Sequence, residues 1–280
     1  MIKIKKLKKQ IAVKKAGNLF SDFLKQFELT TASPFEEEIH QLRVMVKKWR
    51  ALLILASFTK KGNSVRSYFK SYLKLYKAAG KLRDCHNHYN LISNSPLAKK
   101  MHPFLELLQQ QQNSLEKKFK FKCLNTQWPG KQKSIKKFAK SVQSINQSSI
   151  IKYQLYCIET ATNKIKIIFE NEHELHNLRK IIKQWSYNSR FLVLCGYTFT
   201  FTNQLLSVLD EIGDLIGQWQ DYDVAIEYLQ QLKVETIVTD DTVFNNFIEN
   251  LYCRKADLSK EINLRLPHLT ALLSKIKVEC

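Results

Sequence analysis

The sequence predicts an all-α protein built as two related halves, and three observations predict it. Glycine and proline number only 7 and 5 in 280 residues, so turn signals are few and the segments between them long. Apolar residues recur along those segments at helical spacing. A motif near residue 40 returns near residue 176, which is the signature of an internal repeat. A chain of 280 residues can bury a sizeable core as one large domain or two small ones.

Residues 1–15 form a lysine-rich arm, expected to be a frayed, solvated end. No apolar stretch of signal-peptide type follows it. Gly17 to Phe27 is expected as a short amphipathic helix presenting Leu19, Phe20, Phe23, Leu24 and Phe27. Thr30 to Pro34 breaks the chain. Ser33 is then placed as an N-cap, with Pro34 at the first helical position and Glu36, Glu37 and Glu38 in the first turn, where the helix dipole favours acids. That helix runs to about Phe58 and contains HQLRVMVKKWR, residues 40–50. At about 100° per residue, His40, Arg43, Lys47 and Arg50 fall within roughly 80° of one another. Leu42, Val44, Met45, Val46 and Trp49 take most of the remaining surface. A helix apolar over most of its circumference is buried. A half-buried cationic row with no acid between His40 and Arg50 is costly unless something negative meets it.

The next helix is expected from about Ser64 to Ile92. It carries Arg66, Lys70, Lys74, Lys77 and Lys81 on one line and Asp84 at its lower end. Like charges at this spacing repel by roughly 0.2–0.5 kcal/mol per pair. Such a row is either a solvated face or a polyanion surface. Leu97 to Phe121 and Lys131 to about Asn146 complete the first half, and Gln147–Ser149 is the expected boundary. Tyr153–Glu170, Glu174–Leu194, Phe199–Gln231 and Thr242–Lys277 are the four helices expected beyond it.

His40, Leu42, Arg43, Lys47 and Trp49 recur as His176, Leu178, Arg179, Lys183 and Trp185, an offset of 136. Gly80 and Asp84 recur as Gly217 and Asp221, an offset of 137. The halves are therefore expected to be related by a pseudo-two-fold axis, with both histidine–arginine helices facing one shared space. They are not electrostatic copies. Residues 1–140 hold 31 Lys+Arg against 8 Asp+Glu, and residues 141–280 hold 14 against 17. A one-sided positive field is what a polyanion-binding protein needs, although a lysine-rich solvated surface would give the same count. Positions matching Arg66, Lys70, Lys74, Lys77 and Lys81 are Asn203, Ser207, Glu211, Asp214 and Gln218. In the second motif helix His176, Arg179 and Lys183 persist, Arg190 rejoins their face, and Ser186 and Tyr187 add hydroxyls.

The two HxLRxxxK helices, each followed by a G-x-x-x-D helix (GKLRD at 80–84, GQWQD at 217–221), resemble the CHAD family, the histidine-bearing α-helical domain. The resemblance implies one such domain over residues 16–280, with repeats at 16–146 and 150–280. It implies two four-helix bundles around a basic central cavity, binding of inorganic polyphosphate, and association with polyphosphate granules in some members. Carried over by position, the ligand-facing residues are His40, Arg43, Lys47, Lys48 and Arg50, then His176, Arg179 and Lys183. The α-helical lysine line, Arg83, Tyr187 and Arg190 extend that set. Gln184, Ser186 and Gln220 (opposite Arg83) depart from a basic pattern, so binding is expected to weight to the first half.

Such residues suit the ligand: arginine forks onto two phosphate oxygens, lysine acts as a point charge, and histidine donates from either nitrogen. His40 and His176 are equally compatible with core histidines at an interface. Asp84 and Asp221 are expected to orient basic neighbours and not to catalyse. No metal pair forms from His86 and His88, and EHELH at 172–176 is not a zinc motif. Nucleic acid is the second choice of partner, since no helix-turn-helix, finger or RNP signature is present. A phosphate-processing enzyme ranks third, for want of a Walker loop, an acidic metal cluster or an activated nucleophile. No cofactor is expected. The six cysteines, none in a CxxC pair, point to free thiols and a reducing cytoplasm.

Overall fold

The computed structural model describes residues 2–59, 69–126, 128–168, 171–197, 203–235 and 241–276, and all regular structure among them is helical. Five helices come first: α1 (Ile2–Ala32), α2 (Glu36–Ser57), α3 (Lys70–Ser93), α4 (His102–Asn125) and α5 (Lys131–Gln143). Four follow: α6 (Gln147–Ile168), α7 (Glu174–Leu194), α8 (Asn203–Glu235) and α9 (Asp241–Lys275). Among these described residues no helix is long and apolar enough to cross a membrane.

Two expectations change. The lysine-rich arm and the short helix at 17–27 are one 31-residue helix, because Ala12 and Ala16 continue its buried stripe into the arm and pack it on α5. Ser33 is not the cap of α2. The helix starts at Glu36, Phe35 holds the N-cap position without a side-chain bond, and the Ser33 amide still donates to Leu29 O, 2.9 Å away. The segment Gln147–Ser149 is the first turn of α6, started by reciprocal bonds between Asn146 and Ser149.

Each motif helix is anchored by its tryptophan. Trp49 and Trp185 are both 0% exposed. Trp49 sits among Phe20, Phe23, Phe69 and Phe138, with ring centroids 5.6–6.4 Å away. Such aromatic contacts contribute about 0.5–1.5 kcal/mol each beyond burial. Trp185 donates instead to Gln154 Oε1. These anchors fix the rotation of α2 and α7 and so decide which way the cationic rows point.

Among the described residues, two contacts between α1–α5 and α6–α9 bear on the site. At the first, α7 packs on α2, and buried Asn188 donates to Ala51 O at 2.9 Å and to the Tyr153 hydroxyl at 2.8 Å. At the second, α3 and α4 pack against α8 and α9, with Phe104 stacked on Phe244 at 5.1 Å and His88 stacked on Tyr228 at 4.6 Å.

Candidate functional site

The direct packing of α2 on α7 brings the two motif rows together. Lys47 makes no ion pair with a described residue, and its amine lies within the fields of Arg179, Arg43 and Lys183, with Asp221 opposing. Burial and those cations push its pKa down to about 8. An ammonium is expensive in such a place, so the fold holds Lys47 there at a cost.

Arg43 and Arg179 are seated in matching ways. Arg43 Nη1 donates to Tyr76 O at 3.2 Å, and Arg179 Nε donates to Gly213 O at 3.1 Å, positions that correspond across the repeat at the 137 offset. A Cβ on Gly80 would stand 2.7 Å from Arg43 Nη1, and one on Gly217 would stand 2.7 Å from Arg179 Nη2. The glycine of each G-x-x-x-D helix thus leaves room for the guanidinium of the helix beside it. Arg43 also lies over the Tyr76 ring at 4.5 Å and Arg50 over the same ring at 5.6 Å. Neither seat uses a carboxylate, so neither guanidinium is held in a direct ion pair with a described residue, and Asp84 and Asp221 oppose them only through space.

The aspartates of those helices face the same space. Asp84 and Asp221 keep solvent contact, yet the surrounding protein raises both pKa values, ahead of the opposing pull of Arg43 on Asp84 and of Arg179 on Asp221. Each aspartate also feels Lys47 and Arg83. They balance the cluster only in part. His40 and His176 are half-buried, and burial first, then neighbouring cations, keeps both below their ordinary range. His176 is hydrogen-bonded to Gln220, the counterpart of Arg83.

Other expected residues lie elsewhere or are already engaged. Arg83 is bound to Glu36 at 2.5 Å, and Asn90 donates to the same carboxylate. Burial alone would raise the pKa of Glu36; the bonds from Asn90 and Arg83 outweigh it. Arg83, expected among the ligand-facing residues, is thus already engaged by a carboxylate here. Lys48 is exposed, about 100° of helix turn away from the Arg43–Lys47 line. Lys70, Lys74, Lys77 and Lys81 are exposed on α3 and make no ion pair with described residues, while Arg66 lies outside the described residues. In the second half Lys183 is held by Asp214 at 2.8 Å, and Arg190 by Asp210. The half-buried Tyr187, whose hydroxyl burial pushes up in pKa, lies within the fields of Arg179 and of Tyr76 from the other half.

Tyr76, Glu36 and Asp210 touch these cations although the residue pattern did not single them out for the site, and the two motif glycines gain a physical reason in the room they leave. A cleft of about 680 Å³ beside the cluster has Asp221 in its wall and amides of Asn87, Asn94, Asn246 and Asn250 around it. Its lining is mostly amide and apolar, with Asp221 and Arg254 as its charged members. Among the described residues no group of three or more histidine, cysteine or carboxylate side chains could hold a metal ion.

One consequence is directly testable. Gly80→Ala should weaken binding of a polyanion several-fold, because the new methyl displaces the Arg43 guanidinium. The melting temperature should hold or rise, since alanine favours a helix by about 1 kcal/mol over glycine. Thermal melts and a titration with labelled polyphosphate check both halves of that statement.

Comparison with known proteins bears on the family and the fold. The family profile described as the CHAD domain matches residues 14–230. A crystal structure of the CHAD domain from the plant Ricinus communis superimposes with a TM-score of 0.71 at 13% sequence identity, covering 96% of this chain and 92% of that one. No curated protein sequence matches the chain.

Proposed function

The chain belongs to the CHAD domain family, and from that premise we propose that it binds inorganic polyphosphate, without catalysis of its own. We read the halves as pseudo-two-fold helical bundles whose motif helices supply one basic site. The single observation that carries the reading is Lys47, a half-buried amine in no ion pair with a described residue, lying in the fields of both Arg43 and Arg179 with Asp221 opposing them. A chain carrying about one negative charge per phosphate offsets that repulsion as it threads between the arginines. The exposed lysine line of α3 extends the track outward. The family's link to polyphosphate, and the absence of base-edge or stacking readers in the sequence, favour this ligand over nucleic acid. We place the protein in the cytoplasm, where polyphosphate granules form.

Competition at fixed salt among long polyphosphate, duplex DNA and single-stranded RNA tests the proposal. Polyphosphate should displace both nucleic acids. Preference for either nucleic acid would overturn it, and consumption of polyphosphate by clean protein would make the chain an enzyme.

A further inference from the structure

Lys47 and Lys183 hold matching places in the repeat but are handled in opposite ways. In the first half the α3 position one turn before Gly80 is Tyr76; its counterpart on α8 is Gly213. The Tyr76 ring is occupied by Arg43 and Arg50. The Lys183 stem lies flat over Gly213, where a Cβ would stand 2.6 Å from its Cε. From there its amine reaches Asp214 at 2.8 Å, Asp210 Oδ1 at 4.0 Å and the Asp210 carbonyl at 3.3 Å. Asp210 also accepts from Ser186 at 2.6 Å and binds Arg190. Burial would raise the Asp210 pKa, but the Ser186 and Arg190 bonds outweigh it, so the carboxyl stays ionised. The counterparts of Asp214 and Glu211 on α3 are Lys77 and Lys74.

Resting on the polyphosphate reading, we propose that Asp210 and Asp214 terminate the polyanion track. They take the place of phosphate on Lys183 and Arg190, repel chain that would continue along α8, and so fix the footprint to Arg43, Lys47, Arg179 and the α3 lysine line. These two carboxylates are the specificity-determining residues for how much of a long chain is held. Gly213 is the positioning residue that lets Lys183 reach them.

The test is the salt dependence of binding for Asp210→Asn/Asp214→Asn, with long polyphosphate and with tripolyphosphate. Freeing two cations should steepen the log–log salt slope for the long chain by about 1.5, at roughly 0.7–0.9 per phosphate contact. Tripolyphosphate, short enough to lie within the existing footprint, should show no steepening. Adding Lys183→Gln should remove about half of the gain. Asp257→Asn/Glu249→Gln, which removes two exposed acids from α9, controls for net charge and should leave the slope unchanged. A double variant no steeper than that control overturns the proposal. Should the double variant be unstable, Asp214→Asn alone, with its side chain 68% exposed, should give half the effect, and no effect there overturns the proposal equally. Failure of the unmutated protein to bind long polyphosphate would instead count against the function proposed above.

Discussion

Replacing Arg43 and Arg179 together with alanine is expected to weaken long-chain polyphosphate binding by at least about a hundredfold with helicity intact. Hydrogen bonds to a charged partner contribute about 1.5–3 kcal/mol each, so two lost guanidiniums remove roughly 3–6 kcal/mol, and 1.4 kcal/mol is tenfold in affinity. The fold should tolerate the loss. Each arginine contributes one bond to a backbone carbonyl on the adjacent helix, and neither completes an ion pair with a described residue. Removing them also relieves the repulsion felt at Lys47. Calorimetric titration with circular dichroism on the same samples measures both outcomes. Comparable affinity in the double variant would take the motif helices out of the site.

Lys47→Met should do two opposed things: stabilise the free protein and weaken its binding. The ordinary lysine pKa of 10.5 falls to about 8 in the folded chain, chiefly by burial and then by Arg179 and Arg43. Between those values the unfolded chain carries more protons than the folded one, so stability rises with pH across that window. Below about pH 8 the penalty of the folded ammonium is complete, and a fall of that size corresponds to about 3 kcal/mol. Methionine keeps the packing volume and removes that cost at neutral pH. A bound polyanion acts in the opposite sense, raising the lysine pKa, so binding should take up protons near pH 8 to 9 and weaken above it. His40, His176, Asp84 and Asp221 also face the cluster, and protonating any of them adds positive charge, so affinity should climb further toward acid. Denaturant melts from pH 7 to 10 and titrations in buffers of differing ionisation enthalpy read these signs. A destabilised Lys47→Met, or one binding as tightly as the parent, would contradict the placement of this amine.

Much of the architecture was legible because it is written in spacing. The 136–137 offset, the paired tryptophans and the helical line of Arg43 and Lys47 depend only on register, and register survives into the packed chain. What could not be read depends on paths that side chains take across neighbouring helices. Glu36 looked like a dipole-matched first-turn acid; its partners Arg83 and Asn90 stand 47 and 54 residues away. Lys183 looked equivalent to Lys47, since the acids replacing the α3 lysines register in sequence as lost charge. That they capture Lys183 follows from Gly213 standing where the first half has Tyr76, a difference that matters only once α7 lies on α8. The length of α1 was missed for a different reason. Its lysines mark a solvated face, and the small residues Ala12 and Ala16 that bury the opposite one give a weak apolar signal.

A crystal structure with a short polyphosphate bound is the most direct measurement. Phosphate density is expected between α2 and α7, in contact with Arg43, Lys47 and Arg179 at once, with the Lys183–Asp214 pair unbroken. Density confined to the outer lysines of α1 and α5, with the space between the motif helices free of ligand, would contradict the account.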